Sequence, residues 1–202
     1  MSSTEVEFWD KRYRTGRTPW DFRGVPLALM EWLQKNEAPG RVLIPGCGSG
    51  YEVRAFAERG WDVLAVDFSP SAVQRAQSEL GTLGKRVMLG DFFNADFADR
   101  KFDLVYERTF LCSLPPGRWH DYAGHVASTL IDGGKLLGFF YYGVEDEPPP
   151  FPLSREVAQS LFGGKFVCLE DDAALDSLTL FAGHERWQVW EKRSNKSGPA
   201  AG

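Results

Sequence analysis

Apolar residues fall in five short runs, at 41–45, 61–66, 87–89, 102–106 and 135–142, and most are followed by a turn signal and then by helical spacing. A helix is expected over 51–59. A second opens at Ser69 as N-cap with Pro70 as its first residue, and a third covers about 117–130. Short strands alternating with helices predict a mainly parallel sheet with helices on both faces. Two later runs, 166–169 and 187–190, are separated by too little helical pattern for another crossover. They read as an antiparallel pair at the sheet edge. The expected architecture is therefore α/β and Rossmann-like: seven strands, mainly parallel, with an antiparallel edge strand.

The ends differ from this core. Residues 1–25 mix Phe8, Trp9, Arg12, Tyr13, Gly16, Pro19 and Trp20 without a strand period, which predicts a short helix and a draped loop, an arm or lid. A short amphipathic helix follows Pro26 and stops before Pro39-Gly40. The main domain is expected over 26–193. The last segment, 194–202 (SNKSGPAAG), reads as a disordered tail.

Composition narrows the function. A chain of 202 residues supports one developed core. No apolar run approaches the roughly 20 residues that span a bilayer, and the start does not resemble a secretory signal, so no membrane partner and a cytoplasmic location are expected. A net charge of -5 opposes a nucleic-acid footprint and favours a small-molecule partner. Cys47, Cys112 and Cys168 show no metal or disulfide spacing, and His120, His125 and His184 form no ligand set, so no metal is expected and the histidines read as surface or capping residues. A monomer is the default. Seven tryptophans are many for this length, and Trp9 and Trp20 lie in a segment too polar for a simple core.

The chemistry concentrates where the strands end. VLIPGCGSGYE places Gly46, Gly48 and Gly50 in the turn from the first strand to the next helix, where glycines let the backbone approach a ligand. The spacing is G-x-G-x-G rather than the dinucleotide G-x-G-x-x-G. Asp67 follows at the end of the second run, where an acid accepts from a ribose, with Phe68 next to it. Gly90-Asp91-Phe92-Phe93 follows the third run at the same sheet end. Asp91 there could accept from an adenine amino group and an aromatic could cover the ring, so together these segments read as an adenosine site. For Asp91 a loop cap is the plainer alternative, and for Phe93 core packing.

PGCGSGYE, AVDFSP, GDFF and FDLVYERTFLCSLPP, with TGRTPWD before them and EPPPFPLS and SLFG after, closely resemble the thiopurine S-methyltransferase superfamily, nearest its thiol and halide methyltransferase branch. The likeness covers about residues 8–193. It implies a class I methyltransferase fold binding S-adenosylmethionine at the carboxyl ends of the strands beneath the arm. It implies cofactor contacts from Trp9, Trp20, Gly46, Gly48, Gly50, Asp67, Phe68, Asp91 and Phe92. Tyr13 stands where plant relatives often carry another tryptophan.

The resemblance also places Glu107 and Arg108 at the junction of cofactor and acceptor, as the candidate catalytic pair, with Glu107 touching the cofactor and Arg108 the acceptor. Phe151 matches the family's G-P-P-[FY] loop at the acceptor pocket, with Glu147 in place of the glycine, and the plainer alternative is that it anchors the loop to the core. An arginine there favours an anionic nucleophile, and the plainer alternative is pairing with Glu107 or Asp103. An indole face near a sulfonium gains a cation-π attraction. The expected activity is methyl transfer to a small soft nucleophile: a thiol, sulfide, thiocyanate, halide or thiopurine. A nicotinamide oxidoreductase lacks its glycine spacing here, and a cofactor-binding sensor without activity has no use for the Glu107-Arg108 junction. Trp187 and Trp190 are expected on opposite faces of the last strand, one in the core and one at the surface.

Overall fold

The computed structural model describes every residue except Met1, Glu37, Ala98, Ala182 and 195–202. The expected tail therefore lies almost entirely outside the described residues. The apolar runs become β1 (Arg41–Pro45), β2 (Asp62–Asp67), β3 (Val87–Leu89), β4 (Phe102–Arg108) and β5 (Leu130–Tyr141), and the last two become β6 (Phe166–Ala173) and β7 (Glu185–Lys192). They form one seven-stranded sheet in the order β3-β2-β1-β4-β5-β7-β6. The first five strands pair in parallel. β7 runs antiparallel to both β5 and β6, so the antiparallel pair closes that side with β6 outermost.

Helices cover both faces: α1 (Val6–Arg14), α2 (Leu27–Lys35), α3 (Tyr51–Glu58), α4 (Pro70–Leu80), α5 (Trp119–Thr129) and α6 (Arg155–Phe162). Ser69 caps α4 as expected, its Oγ accepting from Ala72 N, with Pro70 opening the helix. One large core lies between the sheet and the face carrying α5 and α6, and a second lies under α2, α3 and α4. Continuous apolar strands such as Val42-Leu43-Ile44 follow from that, because neither face of β1 reaches water.

Three expectations change. Trp187 and Trp190 do take opposite faces, but each enters a core, Trp187 beside Phe139 and Trp190 beside Phe162, so neither is a surface residue. His125 is not a surface residue: its ring packs edge-on against Phe92 at 4.6 Å, and burial lowers its pKa. Helix α6 stands where the chain pattern gives no expected element, with Ser154 as its cap and Ala158, Leu161 and Phe162 as its buried stripe.

Candidate active site

The carboxyl ends of β1 to β4 open into a cavity of about 410 Å³, roofed by the N-terminal arm. Its floor begins at the turn after β1. Gly46, Gly48 and Gly50 have φ of 57°, 52° and 73°, the left-handed region in which a side chain is strained. At Gly48 a Cβ atom would also sit 2.5 Å from the Tyr13 hydroxyl, so the arm packs directly on bare backbone. Gly46 and Gly48 line the cavity, whereas Gly50 is set behind it, where its Cα faces Leu80 and Ala76 of α4. Gly50 thus serves the packing of α3 on α4.

Asp67 ends β2 at the cavity wall. Its Oδ2 accepts from Gly48 N at 3.0 Å and its Oδ1 from Ser69 N at 2.9 Å, which ties the glycine turn to the N-terminus of α4. Burial pushes its pKa up to about 6, against the pull of those backbone bonds. Each carboxylate oxygen keeps a second lone pair for a ligand hydroxyl. Phe68, Asp91 and Phe92 line the same wall. Asp91 also closes its own loop, accepting from Phe93 N at 3.0 Å and Asn94 Nδ2 at 2.7 Å. Phe92 belongs to the core and also lines the cavity.

The arm supplies the roof. Trp9, Tyr13 and Trp20 line the cavity and pack edge to face, with Trp9 to Trp20 at 5.1 Å and Tyr13 to Trp20 at 6.1 Å. Two carboxylates fasten this roof, and the sequence reading assigned neither. Asp10 accepts from Ser69 Oγ and Ser71 N at the start of α4. Asp21 accepts from Ser49 Oγ at 2.8 Å and pairs with Arg75 at 3.3 Å. Their signal was faint, since an acid on a short polar helix reads as a solvated face.

At the end of β4 the two adjacent charges part company. Arg108 enters the cavity with its guanidinium between Phe22 of the arm, at 4.7 Å, and Phe139 of β5, at 4.5 Å. Nη1 and Nη2 are buried and have no hydrogen-bond partner among the described residues, so the alternative of an arginine consumed by Glu107 or Asp103 is not what the fold builds. Glu107 points the other way. It is 1% exposed and absent from the cavity wall, and it accepts from Phe110 N, Leu111 N and the Tyr122 hydroxyl. Strand alternation is the reason: neighbours on β4 face opposite sides, so Glu107 cannot share Arg108's cavity. Burial pushes its pKa up to about 7. Phe151 is likewise not on the wall. Its N–H donates to Cys112 O at 2.7 Å and its ring joins the large core, while Pro149 and Pro150 form the rim.

Cys47 and Cys112 reach the cavity as free, buried thiols raised in pKa by burial. No set of His, Cys, Asp or Glu among the described residues could hold a metal ion. A glycine turn, an acid at the end of β2 and an aromatic roof suit an adenosine-bearing sulfonium compound.

Comparison with known proteins decides the family. The thiopurine S-methyltransferase profile matches residues 4–193. The chain belongs to that family. Membership makes it an S-adenosylmethionine-dependent S-methyltransferase. "Probable thiol methyltransferase 2" of Arabidopsis thaliana is 32% identical over 160 residues, 76% of this chain and 70% of that protein. Thiocyanate methyltransferase 1 of Brassica oleracea is 28% identical over 194 residues, covering 91% of this family member and 84% of its own length. Among solved structures, the Burkholderia thailandensis 1,6-didemethyltoxoflavin-N1-methyltransferase with bound S-adenosylhomocysteine superposes with a TM-score of 0.73. It is 18% identical and aligns over 94% of this chain and 87% of that one. That likeness carries the fold. No helix among the described residues is long and apolar enough to cross a membrane.

Proposed function

We propose that this methyltransferase acts on a small, soft, anionic nucleophile, a thiolate, hydrosulfide, thiocyanate or halide, seated by Arg108. The observation that carries this reading is the guanidinium between Phe22 and Phe139 whose Nη1 and Nη2 have no hydrogen-bond partner among the described residues. A buried cation that keeps free donors is costly unless an anion completes it. Aromatic faces on both sides hold the plane fixed and suit a polarisable guest better than a hydrated one. The thiol and thiocyanate activities in the relatives' names point to the same acceptor class.

S-adenosylmethionine, when bound, supplies an electrophilic methyl group on a sulfonium. We assign its binding to Asp67 for the ribose, the Gly46 and Gly48 backbone for the methionine end, Asp91, Phe68 and Phe92 for the adenine, and Trp9, Tyr13 and Trp20 as cover. These chain groups work by orientation and by excluding water, which strips the acceptor of its hydration and raises its nucleophilicity. Arg108 offsets the cost of bringing the anion in. We also propose residues 1–25 as the lid of a single domain over 26–193, acting as a monomer in the cytoplasm with no nucleic-acid partner. The free thiols and the net charge of -5 support this setting.

The test is incubation with methyl-labelled S-adenosylmethionine and a panel of sulfide, alkyl and aryl thiols, thiocyanate, iodide and a thiopurine. Labelled product is expected from the small anions and thiols. A panel that yields neither labelled product nor S-adenosylhomocysteine would overturn the reading.

A further inference from the structure

One buried acid on the cavity wall has no part in the scheme above. Glu52 is the second residue of α3 and is 8% exposed, and its side chain faces the cavity beside Tyr106 and Arg108 of β4. The Tyr106 hydroxyl is also buried, makes no well-aligned hydrogen bond among the described residues, and lies close enough to Glu52 to help hold its carboxylate ionised. Glu52, Tyr106 and Arg108 thus form a polar patch on the cavity wall, backed by the apolar core that contains Tyr106 and Phe139. Polar atoms buried without partners mark a place where a guest is completed.

We infer that Glu52 is the proton acceptor for neutral thiol acceptors, the group that turns a bound thiol into the thiolate held by Arg108. The inference rests on the methyltransferase reading above. It addresses a step that a halide or thiocyanate does not need, since those arrive without a proton, whereas most alkyl thiols are protonated near neutral pH. In the step, the S–H bond breaks, its electron pair stays on sulfur, and an O–H bond forms on the Glu52 carboxylate. The negative charge moves from Glu52 to sulfur, so the net charge of the pocket is unchanged. That matters in a dry site, where creating a net charge is expensive. The proton returns to solvent when the site opens.

The surroundings suit a base. Burial raises the pKa of Glu52 above the ordinary glutamate value, so its carboxylate binds a proton more readily than one in water. Arg108 opposes that rise, and the position at the N-terminus of α3 favours the ionised form. The other groups facing it are Asp21 of the arm, which raises its pKa further, Tyr106, and the Cys47 thiol in the glycine turn.

The experiment compares wild type with Glu52→Gln on two acceptors, an alkyl thiol and thiocyanate, across pH, after calorimetry confirms that the variant still binds S-adenosylhomocysteine. The expected result is a loss of about a hundredfold in kcat/KM for the thiol near pH 7, in line with removal of a general base. Rising pH should restore the thiol rate, with thiocyanate turnover within about twofold of wild type throughout. Equal losses on both acceptors, or no loss on the thiol, overturn the proposal while leaving methyl transfer itself intact. Failure of both acceptors in wild type tells instead against the methyltransferase reading. A second measurement needs neither turnover nor a folded variant. Adding an alkyl thiol to wild type loaded with S-adenosylhomocysteine near neutral pH should bring up thiolate absorbance together with the infrared band of a newly protonated carboxyl group. Thiolate without that band, or bound thiol that stays protonated, overturns the role of Glu52.

Discussion

Asp10 Oδ1 accepts from Ser69 Oγ at 2.9 Å and from Ser71 N at 2.8 Å, so the arm docks by placing a carboxylate at the N-terminus of α4. Ser69 Oγ in turn accepts from Ala72 N, so one serine both caps its helix and anchors the lid. Burial alone would raise the Asp10 pKa, but the bonds from Ser71 and Ser69, with Arg14 nearby, outweigh it and hold the group below its ordinary value. Hydrogen bonds to a charged group are worth roughly 1.5–3 kcal/mol. Asp10→Ala is therefore expected to weaken S-adenosylhomocysteine binding by about tenfold or more and to speed proteolysis within the arm, with little change in the thermal unfolding of the core. Calorimetry and timed digestion check this. Unchanged affinity would show that the arm does not cover the ligand.

Cofactor affinity should depend on acid through Asp67. Its pKa of about 6 reflects burial, and a ribose hydroxyl donates best to the ionised form. Binding therefore favours the deprotonated state, and affinity is expected to fall as pH drops through about 6 and to level off above it. Asp67→Asn should bind weakly at every pH and lose this dependence. A wild-type affinity that is flat from pH 7.5 to about 5 would sink the ribose assignment.

Arg108→Met keeps an unbranched side chain between Phe22 and Phe139 and deletes the charge. An interaction with a charged group worth about 1.5–3 kcal/mol corresponds to a loss of about tenfold to a hundredfold in kcat/KM for an anionic acceptor, with S-adenosylhomocysteine affinity retained. Arg108→Lys should recover only part, because an ammonium lacks the planar face that both rings stack on. Steady-state kinetics with thiocyanate decide it. A loss of cofactor affinity that matches the loss of turnover would move Arg108 out of the acceptor site.

How much of this was legible from the chain depends on the range of the forces involved. The strand-turn-helix at Gly46 and the Ser69-Pro70 helix start are local, and the structure keeps both. β6 runs four residues beyond its expected end, through Glu170, Asp171 and Asp172, because pairing with β7 and the bonds from Arg186 and Gln188 to Asp171 override a polar stretch. At the site, residues recognised by motif were found near one another, but the facing of side chains was harder to read. Glu107 and Arg108 are adjacent in sequence, and because β4 runs on through both, past its expected end at 106, they alternate, Arg108 toward the cavity and Glu107 away from it. Asp10 and Asp21 have partners 59 and 28 positions away, so nothing near them in sequence reveals their task.

Glu107 is better understood as the internal support of the loop beside the cavity. Its three bonds hold Phe110 N, Leu111 N and Tyr122 in place, and Phe110 and Cys112 of that loop reach the cavity wall. Burial raises its pKa from 4.5 to about 7, so the folded protein holds this proton more tightly than the unfolded chain does. The sign follows: the contribution is most favourable below about 4.5 and is lost as pH rises to about 7, above which the penalty for a buried carboxylate is complete. Glu107→Gln removes that titration while its amide can still accept from the two N–H groups and donate to the tyrosine oxygen. The variant's stability relative to wild type should therefore improve between pH 4.5 and 7, read by urea denaturation at each pH. Glu107→Ala leaves buried donors unpaired at about 1–3 kcal/mol each and should lower stability at every pH. Parallel pH profiles for wild type and Glu107→Gln would mean that the carboxyl does not titrate in this window.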